Sequence, residues 1–599
     1  MKNIELISYI ITTIVVFAIS VFAHRRFNQG LSKSSKGQQT RRYLAASIIS
    51  ILPLAIAQVD VTSSAILFNA IVAIICGTTY PIIYHLSNHK QSPDYDNRYD
   101  IVFGIYLFGW LTALQITLAA IGGIVNTIGN IIIGIIVFAI MLLAVIQWGH
   151  YLIYNSCFDT NGMQAAQDTD HNEAIEFVKS FPVHTIAIIA LSILLLCGIC
   201  IGGKIVTEIG THPSAISAAI AATWAVAMFK YIWVGKRSLF YRTGFVTLYN
   251  DVKEYSRRNS LYTKEMNVRL SKLELELKNE NKKPHTYIMV IGESASRDYM
   301  SAYATTEHNT TPWLAQCKND SEHNIFFTHT YACANQTVPT LERVLTERNQ
   351  YNNKEFNEST SIIDIARKAG YKTHWYSNQG CIGVADTSIT LVANTCDVAK
   401  WTKQEVNKVQ YDGSLLEFLD EIDETQNNFV VFHLMGSHFN FINRYPQEAT
   451  VWGKPGVQNN VLNYDNSLHY TDSILKSIYD YASKKLNLQA LIYFSDHGCS
   501  PDKRRSPQFL GFEMLRIPLS IHCTEEYVSL HKKRIEAMKA NKDKFFTNDL
   551  MYELICGILD IESNHFDKEN SLAHEEYKYT RDMLLTNNGT KRISDDTNI

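Results

Sequence analysis

The sequence predicts two parts: an N-terminal, all-α polytopic membrane domain and a C-terminal α/β/α sandwich on a mostly parallel sheet. Three observations carry this. Long apolar runs dominate the chain to about residue 236, and the remainder has the mixed composition of a water-exposed domain. Beyond residue 284, apolar runs of strand length alternate with amphipathic helical stretches, the pattern of a sheet covered on both faces. With 599 residues, the chain is also too long for a single core.

Stretches near the ~20 residues that cross a bilayer lie at about 4–23, 43–58, 62–85, 101–122, 124–150, 184–206 and 214–235. This predicts a membrane domain over 1–236 with five to seven spans, because 43–58 is short and 101–150 divides in more than one way. The first stretch is followed at once by further spans, so it reads as an uncleaved helix and not as a signal peptide. The loop from His24 to Arg42 carries Arg25, Arg26, Lys33, Lys36, Arg41 and Arg42, and Lys230, Lys236 and Arg237 close the last span. By the positive-inside rule both clusters face the cytoplasm.

Residues 237–283 read as a linker, with "SKLELELKNENKK" as an amphipathic helix of alternating acids, bases and leucines. A folded domain follows over 284–585, and then a polar tail over 586–599. Within the domain, "TYIMVIG" (286–292) is a strand, "SIIDIARKAG" a helix and "YKTHWYS" (to 377) a strand. "NFVVFHLMG" (428–436) is a strand, "LNYDNSLHYTDSILKSIYDYASKK" a helix and "LQALIYFSDHG" (to 498) a strand. Gly370 falls where a helix C-cap belongs. The net charge of -3 supplies no basic field for a polyanion, so nucleic acid is not an expected partner. No CxxC pair occurs, which argues against a zinc ribbon. Cys381 and Cys396 bracket one loop, a spacing that permits a disulfide.

In such sheets the working residues gather beyond the carboxyl ends of the strands. The first strand runs into "GESASR" with Glu293, the strand near 430 into "GSH" with His438, and the strand near 492 into "SDHG" with Asp496 and His497. Any one of these taken singly is more often a turn residue or a satisfied hydrogen bonder than a ligand. Three strand ends presenting acid or imidazole point to a metal, and a mixed O/N donor set suits zinc, with manganese second. Thr337 lies just ahead of Pro339 in "YACANQTVPTLERVLT", at a helix start whose backbone N–H groups can hold a phosphate. Alone it reads as a helix cap. Asp465 and His469 share a helix face, where packing is favoured over a metal pair.

The order "IGESASR", "TTP", "CANQTVPTLERVLT", "WYSNQG", "HLMGSHFNFINRYP", "YDNSLHYTDSIL" and "FSDHG", over about 286–500, resembles the phosphoethanolamine transferases. That family includes the colistin-resistance enzymes and relatives acting on lipopolysaccharide core. The resemblance implies an alkaline phosphatase/sulfatase-like catalytic domain and one zinc ion held by Glu293, Thr337, Asp496 and His497. It makes Thr337 the nucleophile, His438 a contact to the phosphate or a second metal, and Asn378 a neighbour of the transferred group. It further implies phosphatidylethanolamine as donor, an envelope glycolipid or glycan as acceptor, and a multi-pass protein of the bacterial inner membrane with a periplasmic catalytic domain. That location conflicts with the simplest reading of the basic loops. Relatives place a further histidine soon after "SDHG". Here none occurs before His522, leaving Lys503, Arg504 and Arg505 to meet anionic groups. Ser294 and Ser296 are alternative nucleophiles. Phosphoglycerol transfer or sulfatase-type hydrolysis on the same fold is one rival, and a non-catalytic membrane sensor or scaffold is another. "GSHFNFINRYP" favours the ethanolamine branch, and the joint presence of Glu293, Thr337, Asp496 and His497 argues against a degenerate site.

Overall fold

The structure is a computed structural model, and it describes residues 2–27, 36–59, 64–86, 98–154, 158, 187, 190–194, 213–259, 261–278, 283–379, 388–402, 409–502 and 511–598. The stretch 184–206 lies almost wholly outside these residues, as do Lys33, Cys381, Lys503, Arg504 and Arg505. The described chain divides into a membrane unit, ending at Lys253, and a second unit that begins at Glu254.

The membrane unit contains six described helices long and apolar enough to cross a bilayer: α1 (Lys2–Phe27), α2 (Lys36–Ala57), α3 (Ser64–Leu86), α4 (Arg98–Ile121), α5 (Gly123–Tyr154) and α6 (Ala215–Trp233). The central helix is α4, whose apolar window is 78% buried, whereas α1 exposes Leu6, Ile7, Ile10 and Ile14 along its length. Small residues let α3 and α4 approach closely: a Cβ on Gly104 would lie 2.6 Å from Ala73 O and 2.9 Å from Gly77 Cα. The buried Asn69 Nδ2 pins the same pair by donating to Thr112 Oγ1 (3.1 Å) and Gln115 Oε1 (2.8 Å).

In the second unit, a seven-stranded sheet is built from β1 (Thr286–Gly292), β2 (Asn324–Phe326), β3 (Lys372–Ser377), β4 (Val398–Trp401), β5 (Asn428–His433), β6 (Leu488–Ser495) and β7 (Leu519–Cys523). The spatial order is β2-β7-β6-β1-β5-β3-β4. The run from β6 to β4 is parallel, and β7 pairs antiparallel with both β6 and β2. Strands β1, β5 and β6 are buried at every position, as expected of a sheet with both faces covered. Separate apolar clusters lie on its two sides, one around Tyr287, Met289 and Phe429, the other around Ile288, Val290 and Phe432, so alternate residues of each strand point to opposite faces. Gly370 ends the helix Ile362–Lys368 with φ +87°, the left-handed turn that a C-terminal glycine supplies.

Two boundaries differ from the sequence reading. The residues expected as a free linker helix join the second unit. Met266–Lys272 is a short helix, but Leu275–Leu277 is a strand paired antiparallel with Ile561–Ser563. "LELEL" has period two, so Leu273, Leu275 and Leu277 share one face, which packs on the core. Upstream, Tyr262 is fully buried and stacks on Phe356 at 4.5 Å. The expected polar tail is likewise folded in, with Ile593 and Asp596 buried. Asp596 accepts from Arg516 Nε (2.8 Å), Arg516 Nη2 (2.6 Å) and Tyr331 Oη (3.0 Å), which ties the last residues to the sheet's flank.

Candidate active site and metal centre

Four neighbouring parallel strands, β6, β1, β5 and β3, end together. Gly292 pairs with Ser495, and Ile291 with His433, so Glu293, Asp496–His497 and the 434–438 turn emerge side by side. Asn378 and Gln379 follow β3 in the next position, with Asn378 N–H donating to His433 O (2.9 Å).

Glu293, Asp496 and His497 are all buried and offer ligand atoms within 4.8 Å of one another. His497 Nε2 lies 3.5 Å from Glu293 Oε1 and 3.4 Å from Asp496 Oδ2. Its Nδ1, 2.8 Å from Gly498 O, must carry the proton, so Nε2 is the lone-pair nitrogen that turns to the cluster. Asp496 Oδ1 accepts the backbone N–H of Ser294 (3.0 Å) and of His497 (2.6 Å), and among the described residues Oδ2 accepts no hydrogen bond. Burial, reinforced by the Glu293 carboxylate, pushes the Asp496 carboxyl well above the usual carboxylate range. Two buried carboxylates and an imidazole lone pair form a donor set that a divalent cation would relieve, and the residues present fit zinc.

Thr337 is brought to this cluster from a distant part of the chain. It opens the helix Thr337–Val344, where Gln336 supplies no side-chain cap, and its Oγ1 donates to Glu293 Oε2 at 2.9 Å. Glu293 therefore joins the hydroxyl on one oxygen to Ser294 Oγ (2.6 Å) and His497 on the other. Ser294 holds φ +58° and spends its hydroxyl on Glu293, while the buried Ser296 caps the turn Arg297–Tyr299. Of the three hydroxyls considered, only Thr337 opens an α-helix.

His438 stands on the 434–438 turn. Its neighbour Ser437 donates N–H to Glu293 O (2.9 Å), and its own Nδ1 is 2.7 Å from Phe439 O, which sets Nε2 as the acceptor nitrogen. Asn378 is placed differently from a direct contact to a transferred group. Its amide donates to Asp412 Oδ1 (2.8 Å) and Gln410 O (3.2 Å) and accepts from Thr402 Oγ1 (2.7 Å). The buried Asp412 in turn receives the N–H groups of Met435 (2.8 Å) and Gly436 (2.9 Å), so Asn378 acts on the turn through a carboxylate. Asp465 and His469 form no pair with each other. Asp465 bonds His308 Nδ1 at 2.7 Å, and His469 meets the edge of Trp452 at 5.5 Å.

The sequence reading passed over three residues. Gln379 Nε2 donates to Glu293 Oε2 (3.2 Å) and Leu434 O (2.8 Å), Asn548 Nδ2 donates to Asp496 O (2.8 Å), and His433 lies buried at the end of β5. Burial lowers His433 to about 4, so it is neutral at physiological pH. Gln379 and His433 both lie at strand ends, the signal that selected Glu293. Asn548 also follows a strand, Phe545–Thr547, one too short for the sequence reading to pick out.

Residues 285–592 match the Sulfatase family. The chain is 25% identical over 319 residues to phosphoethanolamine transferase EptC of Escherichia coli strain K12, covering 50% of this chain and 54% of that protein. It is 30% identical over 243 residues to phosphoethanolamine transferase OpgE of the same strain, covering 39% and 43%. The chain thus spans about half the length of the curated relatives it matches. Among solved structures, the integral membrane protein lipooligosaccharide phosphoethanolamine transferase A (EptA) from Neisseria meningitidis superposes with a TM-score of 0.52 at 15% identity, over 84% of this chain and 98% of that one. At that identity the likeness shows a shared fold, and six described helices of this chain are long and apolar enough to cross a membrane. A match extending over more than half of its residues establishes that the chain belongs to the sulfatase family.

Proposed function

We propose that this protein transfers phosphoethanolamine from phosphatidylethanolamine to an envelope glycolipid or glycan, through a phospho-threonine intermediate on Thr337. The carrying observation is the Thr337 hydroxyl, 2.9 Å from Glu293 Oε2 in a cluster that also holds Asp496 and His497. The names of the relatives EptC and OpgE support the phosphoethanolamine branch. Zinc would be held by Glu293, Thr337, Asp496 and His497, and would supply the positive charge that lowers the proton affinity of a threonine hydroxyl.

The chain's own residues do the rest. Glu293 orients the Thr337 Oγ1–H by accepting its proton in a hydrogen bond. Because Thr337 opens a helix, backbone N–H groups face a phosphate placed on its oxygen. In the first step Oγ1 bonds to phosphorus, the P–O bond to diacylglycerol breaks, and diacylglycerol departs with the hydroxyl's proton. In the second, an acceptor hydroxyl or phosphate oxygen attacks phosphorus, the P–Oγ1 bond breaks, and Thr337 Oγ1 takes up the proton that the acceptor hydroxyl loses or, for an ionised phosphate acceptor, a proton from water. His438 is the candidate to meet the transferred group. The membrane unit anchors this chemistry to a bilayer that contains both lipids, with the second unit on the periplasmic face of the bacterial inner membrane.

Full-length protein in phosphatidylethanolamine vesicles, with the headgroup labelled, tests the reading. Without acceptor, the wild type is expected to carry one phosphoethanolamine on the peptide containing Thr337, and Thr337→Ala to lose transfer by at least about 10³-fold. Label on another residue, or near-normal transfer by Thr337→Ala, would refute the intermediate. Cysteine accessibility of residues 285–585 from outside intact inner membranes checks the orientation.

A further inference from the structure

We infer that Gln379 is a positioning residue that sets the orientation of the Glu293 carboxylate toward Thr337, an inference that rests on the reading of the cluster as a zinc site. A carboxylate at the mouth of a site can rotate about its last bond, and here the two oxygens have different tasks. Oε1 faces Ser294 Oγ at 2.6 Å and His497 Nε2 at 3.5 Å, and Oε2 faces Thr337 Oγ1 at 2.9 Å. Gln379 Nε2 is the second donor to Oε2, at 3.2 Å, so the amide opposes any rotation that would carry Oε2 away from the hydroxyl.

Gln379 is itself held at three points, one on its side-chain amide and two on its backbone. Nε2 also donates to Leu434 O at 2.8 Å, the Gln379 N–H donates to Ser377 Oγ at 3.1 Å, and Ser377 Oγ donates to Gln379 O at 3.3 Å. Ser377 Oγ is in turn 3.2 Å from Nδ1 of the neutral His433. Gln379 therefore joins the ends of β3 and β5 to the carboxylate that follows β1. Asn378, its neighbour, grips the same 434–436 turn through Asp412. The tandem "NQ" thus holds the turn with its first side chain and the candidate metal ligand with its second. Groups that orient a metal ligand from outside the coordination shell change metal affinity or activity by about 10–100-fold when removed.

The test compares full-length wild type, Gln379→Ala and Gln379→Met in detergent, titrated calorimetrically with zinc alone, with the thermal midpoint of each zinc-free protein measured in parallel. Methionine keeps approximately the length and volume of glutamine and removes its amide group, donor and acceptor together. The expected result is zinc affinity lower by about 10–100-fold in both variants, with zinc-free midpoints at the wild-type value and kcat reduced more than the KM for the donor lipid. Wild-type affinity in Gln379→Met, or a zinc-free midpoint that falls in step with affinity, would overturn the positioning role. A wild type that binds no zinc would instead overturn the reading of the cluster as a metal site, and this inference with it.

Discussion

Gly436 offers a way to displace Glu293 without touching a side chain of the site. Its φ of +50° is one that an L-residue adopts at a cost of about 1 kcal/mol. A Cβ there would also lie 2.8 Å from both the N and the O of Glu293 and 3.2 Å from its Cβ. Gly370 is the natural control, because it too has positive φ, at +87°, but a Cβ on it meets nothing within 4 Å. Gly370→Ala should therefore cost the backbone term alone, about 1 kcal/mol. Gly436→Ala adds an overpacking term of about 1–3 kcal/mol, because backbone atoms yield less than side chains, for a total of about 2–4 kcal/mol. At about 2 °C per kcal/mol, thermal unfolding of the full-length protein followed by tryptophan fluorescence should show midpoints lower by about 2 °C and 4–8 °C respectively. Transfer should fall by about 10–100-fold in Gly436→Ala only, because the main chain of Glu293 must move by a substantial fraction of an ångström to reach ordinary contact distance. Equal midpoints and equal activity in the two variants would refute the claim that the 434–436 turn buttresses Glu293.

The other expectations concern stability and metal. Glu553 is buried and held at about 8 mainly by desolvation, against 4.5 when unfolded, so the folded state retains its proton while the unfolded state ionises. Stability from this group is thus complete below pH 4.5 and is lost as pH rises to about 8, by on the order of 4 kcal/mol. Glu553→Gln keeps an acceptor for Asp567 N–H, so its midpoint relative to wild type should climb between pH 5 and pH 8.5, and a constant difference would refute the titration. Asp596→Ala removes the bidentate partner of the largely buried Arg516, which keeps Asp298, and should cost about 1.5–3 kcal/mol in thermal or urea unfolding, beyond the effect of losing a disordered tail. Chelation should abolish transfer and lower the midpoint of the second unit, and zinc should restore both. Unchanged activity in a metal-free protein would remove zinc from the mechanism.

Much of this architecture was legible in the chain because short-range patterns specify it. Apolar runs of bilayer length mark the membrane helices, and the three fully buried strands read as continuous apolar segments ending on Glu293, the 434–438 turn and Asp496. The linker was misread because "LELEL" satisfies both an alternating-charge helix and a period-two strand, and only pairing with Ile561–Ser563 decides between them. The tail was misread because its polarity is real, while the partner that buries Asp596 is Arg516, far away in sequence.

From the sequence alone come the fold class and the strand-end positions of Glu293, Asp496 and His497, while the role of Thr337 is what the family resemblance implies. These follow from local periodicity and from the rule that parallel strands deliver their loops to one edge. The partners of those residues come from the fold: Gln379, and not Asn378, reaches Glu293, Asn378 bonds Asp412, and Asp465 bonds His308 and not His469. The physical reason is range. A hydrogen-bond partner is chosen by where strands and turns place two side chains to within a fraction of an ångström, and adjacent residues at a strand end point in opposite directions.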